Sequence, residues 1–264
     1  MTYETIKVEF QESVCLIRID RPEADNTINE QLVAECHDVL TACEQSATVV
    51  VLSGSPEVFC LGADFKAIAA SQHDVARLTI RKPSGEGEGG PGPLYDLWLR
   101  LATGPFVTIS HVRGKANAGG VGFVAASDIV LADETAQFSL SELLFGLYPA
   151  CVLPFLIRRV GFQKAHYLTL MTQPLSARQA CEIGLVDACE PAGELLLRRH
   201  LQRLRRLSKT AIRRYKSYMS RIGPSLQELK TPAVAANQEI FADGANLQAI
   251  TRYVEHGIFP WEKA

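Results

Sequence analysis

Polar and apolar residues alternate through the first twenty positions. Residues 5–10 and Val14–Ile19 carry the period-two pattern of half-buried strands, and Gln11-Glu12-Ser13 between them reads as a turn, with Arg21-Pro22 ending the hairpin. The period then lengthens. Leu32, Val33, Cys36, Val39 and Leu40 recur at helical spacing within residues 29–43. Residues 48–52 (TVVVL) form an unbroken β-branched run, which predicts a strand covered on both faces, as in a parallel sheet, and Ser53-Gly54-Ser55-Pro56 punctuates it. Val107–Val112 is a second such strand, entered after Gly104-Pro105. Residues 114–122 (GKANAGGVG) are a glycine-rich turn that runs into a small-residue helix at 123–126, with strands at Ile129–Ala132 and 136–139. Strand, glycine turn, helix, strand is the order of βαβ units, so the fold class is α/β. Farther on the periodicity is helical: 155–159, 164–172, 177–183, one long basic stretch at 198–219, then 233–241 and 245–255. There is no internal repeat.

Composition narrows the classes. With 264 residues, 47% hydrophobic and 21% charged, the chain suits one α/β domain with an appendage or two small domains. A net charge of -2 gives no global field toward nucleic acid or a membrane surface. No apolar run approaches the ~20 residues that span a bilayer, and MTYETIKVEF lacks the basic start and apolar core of a signal peptide. The seven cysteines are odd in number and form no CxxC pair, so they are expected as reduced thiols in a cytoplasmic protein. Cys36-His37 with Cys43 falls on the amphipathic segment and reads as partly buried helix residues. His166, His200 and His256 are not spaced with other ligands, so no metal is assigned. Two segments stay open. Residues 82–93 (KPSGEGEGGPGP) are predicted mobile, either a lid beside a site or a tolerated surface insertion. Residues 198–216 hold many cations, either for phosphates and acids of CoA or a carrier protein, or as a solvated face with Leu201, Leu204 and Leu207 packed inward.

Chemistry concentrates in two turns. Phe59-Cys60-Leu61-Gly62-Ala63-Asp64-Phe65 follows a strand and precedes a helix, and Asn117-Ala118-Gly119-Gly120-Val121-Gly122 also precedes a helix. N–H groups at helix starts lack intrahelical partners, and glycine lets a ligand approach them. Two such turns face to face would put two donors on one oxygen, an oxyanion hole.

RIDRPEADNTIN, FCLGADF and RGKANAGGVGFVAASDIVLADETAQFSLSELLFGLYP together resemble the crotonase superfamily, the enoyl-CoA hydratases and isomerases, over nearly the whole chain. The resemblance implies a crotonase spiral of repeated ββα units over residues 1–195, with a C-terminal helical oligomerisation region at 196–264 and assembly as a homotrimer or hexamer. It places the oxyanion donors at the N–H groups of Ala63 and Gly119. The family's hydratases use two glutamates; the first would fall at Gly122 and is missing, and the second matches Glu142 in the run from Gln137. VRGKANAGG, FSLSELLFGLYPACVLPFLIRR and FPWE are more similar still to the β-branching dehydratases of polyketide gene clusters. That subgroup implies dehydration of 3-hydroxy-3-methylglutaryl-acyl carrier protein to the 3-methylglutaconyl thioester. Its partners would be an acyl carrier protein and a decarboxylating crotonase, with no cofactor beyond the thioester's own carrier. Glu142 would then be the general base. Asp64 would either orient water or the hydroxyl, or cap the helix at Phe65; Asn117 would bind a hydroxyl or order its loop. Gly122 would make room for the branched C3 centre. Lys115, Arg113, His111, Lys82 and Arg81 are candidates for the distal carboxylate. The competing readings are an enoyl-CoA hydratase or isomerase of general acyl-CoA metabolism, against which Gly122 argues, and a catalytically silent binding protein, against which Ala63, Gly119 and Glu142 argue.

Overall fold

The computed structural model describes residues 2–75 and 90–262, without the side chains of 71–75. Strand β1 (Ile6–Gln11) pairs antiparallel with β2 (Val14–Ile19), as the alternation predicts. Helix α1 (Glu30–Ser46) follows, started by Asn29, whose side chain accepts from the Leu32 N–H at 2.9 Å. The chain then lays down strands in pairs: β3 (Val49–Ser53) and β4 (Val58–Cys60), β5 (Val107–Val112) and β6 (Lys115–Asn117), β7 (Ile129–Ala132) and β8 (Gln137–Ser139). The first of each pair enters one sheet and the second another. Short strands β9 (Leu175–Ser176) and β10 (Ala188–Cys189) complete sheets of order β1-β2-β3-β5-β7-β10 and β4-β6-β8-β9. From β2 to β10 the larger sheet is parallel throughout. Between and after the pairs lie α2 (Phe65–Val75), α3 (Pro91–Thr103), α4 (Gly119–Ala126), α5 (Leu153–Val160), α6 (Phe162–Met171) and α7 (Ala177–Glu182). This is the expected spiral of ββα units.

Both faces of the larger sheet are covered, which accounts for its continuous apolar runs. Val50 and Leu52 point into the main core with α1, α3 and α4, while Val49 and Val51 point the other way. That second face is covered by Leu196 and Leu197 of α8 (Gly193–Leu204). Residue 195, the expected end of the spiral, therefore lies inside a helix that belongs to the sheet's outer layer. Helices α9 (Lys209–Ile222), α10 (Lys230–Ala242) and α11 (Gly244–His256) complete the chain.

Two expectations are corrected. The basic stretch at 198–219 is not one helix: it breaks between Leu204 and Lys209, where Ser208 caps α9 by accepting from the Ala211 N–H at 3.2 Å. Leu201 and Leu204 pack against the sheet as expected, but Leu207 falls in the break and is exposed. Replacing Ser208 by alanine should cost about 1 kcal/mol, read as a fall of a few degrees in Tm in a thermal melt. The proline-glycine segment also ends earlier than its composition suggests. Residues 82–89 lie outside the described residues, but Pro91-Gly92-Pro93 is the first turn of α3, where a missing N–H costs nothing.

Helix α9 is anchored by its one buried cation. The Lys216 ammonium donates to Asp128 Oδ2 at 2.6 Å, the Phe106 carbonyl at 2.9 Å and the Leu101 carbonyl at 3.2 Å, so the charge is both paired and hydrogen-bonded. A third, smaller core gathers Phe145, Leu147, Ile240 and Ile250, with Phe65, Tyr253 and Phe259 packed against them. It joins the start of α2 to the C-terminal helices. No helix among the described residues is long and apolar enough to cross a membrane.

Candidate active site

The two glycine turns meet. Strand β4 ends at Cys60, the chain turns at Gly62 with φ +87°, and α2 starts at Phe65. The Ile28 N–H donates to the Gly62 carbonyl at 2.7 Å and Ile28 bridges Ala63 in parallel fashion. In that pattern the bridged residue's own N–H points away from its neighbour, so the Ala63 amide faces outward from the bridge. Across from it, β6 ends at Asn117, Ala118 takes φ +49°, and α4 starts at Gly119, whose N–H has no helical partner. A side chain at Gly62 would put its Cβ 2.9 Å from the Gly119 nitrogen and 2.7 Å from Ala118 Cβ. The two backbones touch where no side chain fits. One residue farther along α4, a Cβ at Gly120 would lie 2.1 Å from the Cys60 carbonyl oxygen, which seats the helix on the end of β4.

Asp64 is held at both oxygens. Oδ1 accepts from the Ala67 N–H at 3.0 Å, capping α2, and Oδ2 accepts from Arg21 at 3.2 Å. Arg21 also donates to the Thr27 carbonyl. The helix-capping alternative for Asp64 is thus realised, and Arg21, which sequence reasoning missed, is its partner.

Glu142 opens a 3-10 helix, Glu142–Phe145, three residues after the end of β8. Asn117 ties that segment to the second turn: its amide donates to Ser141 Oγ at 2.9 Å, and its carbonyl oxygen accepts from Ser139 Oγ at 2.8 Å. Asn117 and Ser139 are register partners in the β6–β8 ladder. The loop-ordering role of Asn117 is therefore visible, and the two serines are what it orders. One carboxylate oxygen of Glu142 is fully enclosed without a hydrogen-bond partner among the described residues. Burial pushes its carboxyl up to about 7, against a smaller downward pull from the backbone N–H groups of Glu142 and Ser141. The carboxyl is thus divided between its two protonation states near neutrality.

The space at Gly122 does not lie open for a ligand, as the sequence suggests. It is filled by the indole of Trp98 on α3, whose Cζ2 lies 2.4 Å from the position a Cβ would take. Trp98 escaped sequence reasoning, although Leu94, Leu97, Trp98 and Leu101 keep helical spacing behind the Pro-Gly-Pro opening.

Two of the cation candidates stand against α8. His111 is buried on β5 with its Nε2 3.0 Å from where a Cβ on Gly193 would be, and Arg113 pairs with Glu194 at 3.4 Å. Lys115 is exposed on β6, and Arg81 and Lys82 lie outside the described residues. All seven cysteines are free thiols. Among the described residues no three or more His, Cys, Asp or Glu side chains gather as metal ligands.

Comparison with known proteins puts this geometry in context. The sequence profile described as "Enoyl-CoA hydratase/isomerase" matches residues 9–264. Bacillaene synthase dehydratase PksH of Bacillus subtilis is 59% identical over 263 residues, covering 99% of this chain and 98% of that protein. The crystal structure of PksH from Bacillus subtilis superposes with a TM-score of 0.92 at 58% identity, covering 98% of this chain and all of that one. An enoyl-CoA hydratase/isomerase from Xanthobacter autotrophicus Py2, at 24% identity, shares the fold with a TM-score of 0.82 over 97% of this chain and 95% of that one.

Proposed function

The chain belongs to the enoyl-CoA hydratase/isomerase family, and from that premise we propose that it dehydrates 3-hydroxy-3-methylglutaryl-acyl carrier protein to the 3-methylglutaconyl thioester in polyketide β-branching. The observation that carries this reading is the full-length identity to a bacillaene synthase dehydratase. The site is chemically suited to it. The thioester oxygen accepts from the Ala63 and Gly119 amides, which acidifies C2 and holds the enolate. Glu142, as carboxylate, takes the C2 proton. The enolate's electron pair then forms the C2–C3 double bond as the C3–oxygen bond breaks, and the proton on Glu142 goes to the departing hydroxyl. Water leaves and Glu142 is again a carboxylate. One carboxyl suffices when the proton and hydroxyl leave from the same face, which accounts for a glycine at 122 in a working hydro-lyase. A carboxyl poised near 7 suits both halves of the task.

In this reading Asp64 and Asn117 position the two turns and the Glu142 loop. The reaction needs no metal and no cofactor beyond the carrier's phosphopantetheine. A decarboxylating crotonase takes the product. The chain assembles as a trimer or hexamer through apolar faces left bare here, Phe162, Tyr167 and Leu170 on α6 and Tyr215, Tyr218 and Ile222 on α9.

The test is intact-mass analysis of 3-hydroxy-3-methylglutaryl-loaded carrier protein incubated with the enzyme. Loss of one water is the expected result; turnover of simple enoyl-CoA esters with no change in the loaded carrier would replace this reading by a degradative hydratase. Asn117→Ala, which releases Ser139 and Ser141, should lower kcat by about tenfold to a hundredfold with little change in KM, measured on the same substrate.

A further inference from the structure

Trp98 is 1% exposed, and its indole nitrogen is fully enclosed without an acceptor among the described residues. A buried donor left unpaired costs about 1–3 kcal/mol, and native interiors rarely tolerate one without a purpose. Two phenyl rings pack on it. Phe123 and Phe155 meet it edge-to-face with centroids 6.0 and 5.9 Å away. Its remaining border faces α4. Cε2, Cζ2 and Cη2 lie 2.7, 2.4 and 2.6 Å from the Cβ position of Gly122, and Cζ2 lies 3.8 Å from that of Gly119. The nitrogen is bonded to Cε2, so it is one bond from the ring edge that meets Gly122, three residues along the helix from Gly119.

We propose that Trp98 contacts the substrate, its indole N–H donating a hydrogen bond to an oxygen on the branched end of the acyl chain. This deepens the dehydratase reading and rests on it. A thioester whose oxygen is held at Gly119 has C3 two bonds beyond its carbonyl carbon, so the oxygens carried on or past C3 come into the region that Trp98 borders. The acceptor is either the departing 3-hydroxyl or the distal carboxylate; the chemistry required, an oxygen lone pair, is the same. An indole N–H can donate but cannot accept or take up a proton. Trp98 therefore orients that oxygen and draws electron density from it, while proton transfer stays with Glu142. The glycine at 122 follows from the same arrangement, because any side chain there would expel the indole.

The decisive variant keeps the ring's shape and removes only the donor: β-(3-benzothienyl)alanine in place of Trp98, with Trp98→Phe beside it. Each is assayed on carrier-bound 3-hydroxy-3-methylglutaryl and on 3-hydroxy-3-methylbutyryl, which lacks the carboxylate. A fall in kcat/KM of about 10- to 100-fold is expected for the isostere, with a Tm no lower than the wild type's, because the unpaired donor is gone. An equal loss on both substrates places the bond at the hydroxyl, and a loss confined to the glutaryl substrate places it at the carboxylate. An isostere as active as the wild type on both overturns the inference. The second readout is the pair of indole N–H signals, Trp98 and Trp261, in a proton–nitrogen correlation spectrum. The Trp98 signal should move downfield on adding the 3-methylglutaconyl product or a non-hydrolysable 3-hydroxy-3-methylglutaryl analogue, and a signal that stays still with both overturns the contact. Failure of the wild-type enzyme to dehydrate either thioester would sink the functional reading itself, a different result from wild-type turnover that is indifferent to position 98.

Discussion

Glu142→Gln should lower dehydration by about 10²- to 10⁴-fold, the range of a lost general acid–base group, while making the protein more stable at alkaline pH. The two effects have one cause. Burial raises the Glu142 carboxyl from the usual glutamate range to about 7. Between the unfolded and folded values the native state holds a proton that the unfolded chain releases, so stability falls as pH rises through that window. Above it, the enclosed carboxylate costs on the order of 3–4 kcal/mol, and glutamine removes that cost. Melts of the two proteins should coincide near pH 4.5 and diverge in favour of the variant by pH 8. In the wild type, kcat/KM should rise with pH through about 7, because the first step requires the carboxylate. A variant with full activity, or a wild-type rate flat from pH 5 to 9, would remove Glu142 from the chemistry.

Gly62→Ala should be nearly as damaging for a different reason. A Cβ at this position meets Ala118 Cβ at 2.7 Å and the Gly119 nitrogen at 2.9 Å, and a φ of +87° is itself unfavourable for alanine. Relief requires the two turns to separate, and with them the Ala63 and Gly119 amides. Losing one oxyanion donor is worth about 10²- to 10³-fold in kcat, and no change of pH should restore it. Gly161→Ala is the matched control. Its φ of +82° imposes a similar backbone strain, but nothing stands within 4 Å of the added methyl. That variant should lose stability and keep its rate. Equal rates for the two variants would show that the amide pair is not the catalytic device.

How much of this was legible in the sequence depended on whether the information was local. The β-branched run at 48–52 announced a strand covered on both sides because each residue carries the same signal, and β3 has that environment. The two glycine turns were legible as local patterns, while Ala63, Gly119 and Glu142 could be named because the short motifs around them resemble those of the crotonase superfamily. The break before Ser208 was hidden: arginines and leucines continue the amphipathic pattern straight across it. Helix α3 was hidden by its own first turn, whose prolines and glycine match a linker as well as a helix start. What no local pattern carries is complementarity between distant positions. Gly122 looks like empty space until Trp98, from another helix, is placed in it. Asp64 shows its capping position in the sequence, but not that Arg21, from the end of the first hairpin, holds its second oxygen.

The third core has a consequence for how the chain becomes active. Phe145, three residues past Glu142, stacks edge-on with Phe65 at 5.2 Å and with Tyr253 at 5.1 Å, and Phe259 lies against Tyr253 at 4.8 Å. The segment bearing the carboxylate is thus wedged between the start of α2 and residues made more than a hundred positions after it. During synthesis, the spiral can fold and bring the two amide turns together while residues 250–262 are still inside the ribosome. The wedge cannot close until they emerge. A nascent or clipped chain lacking residues 250–262 would carry a formed amide pair beside an unanchored carboxylate, so competence arrives with that segment.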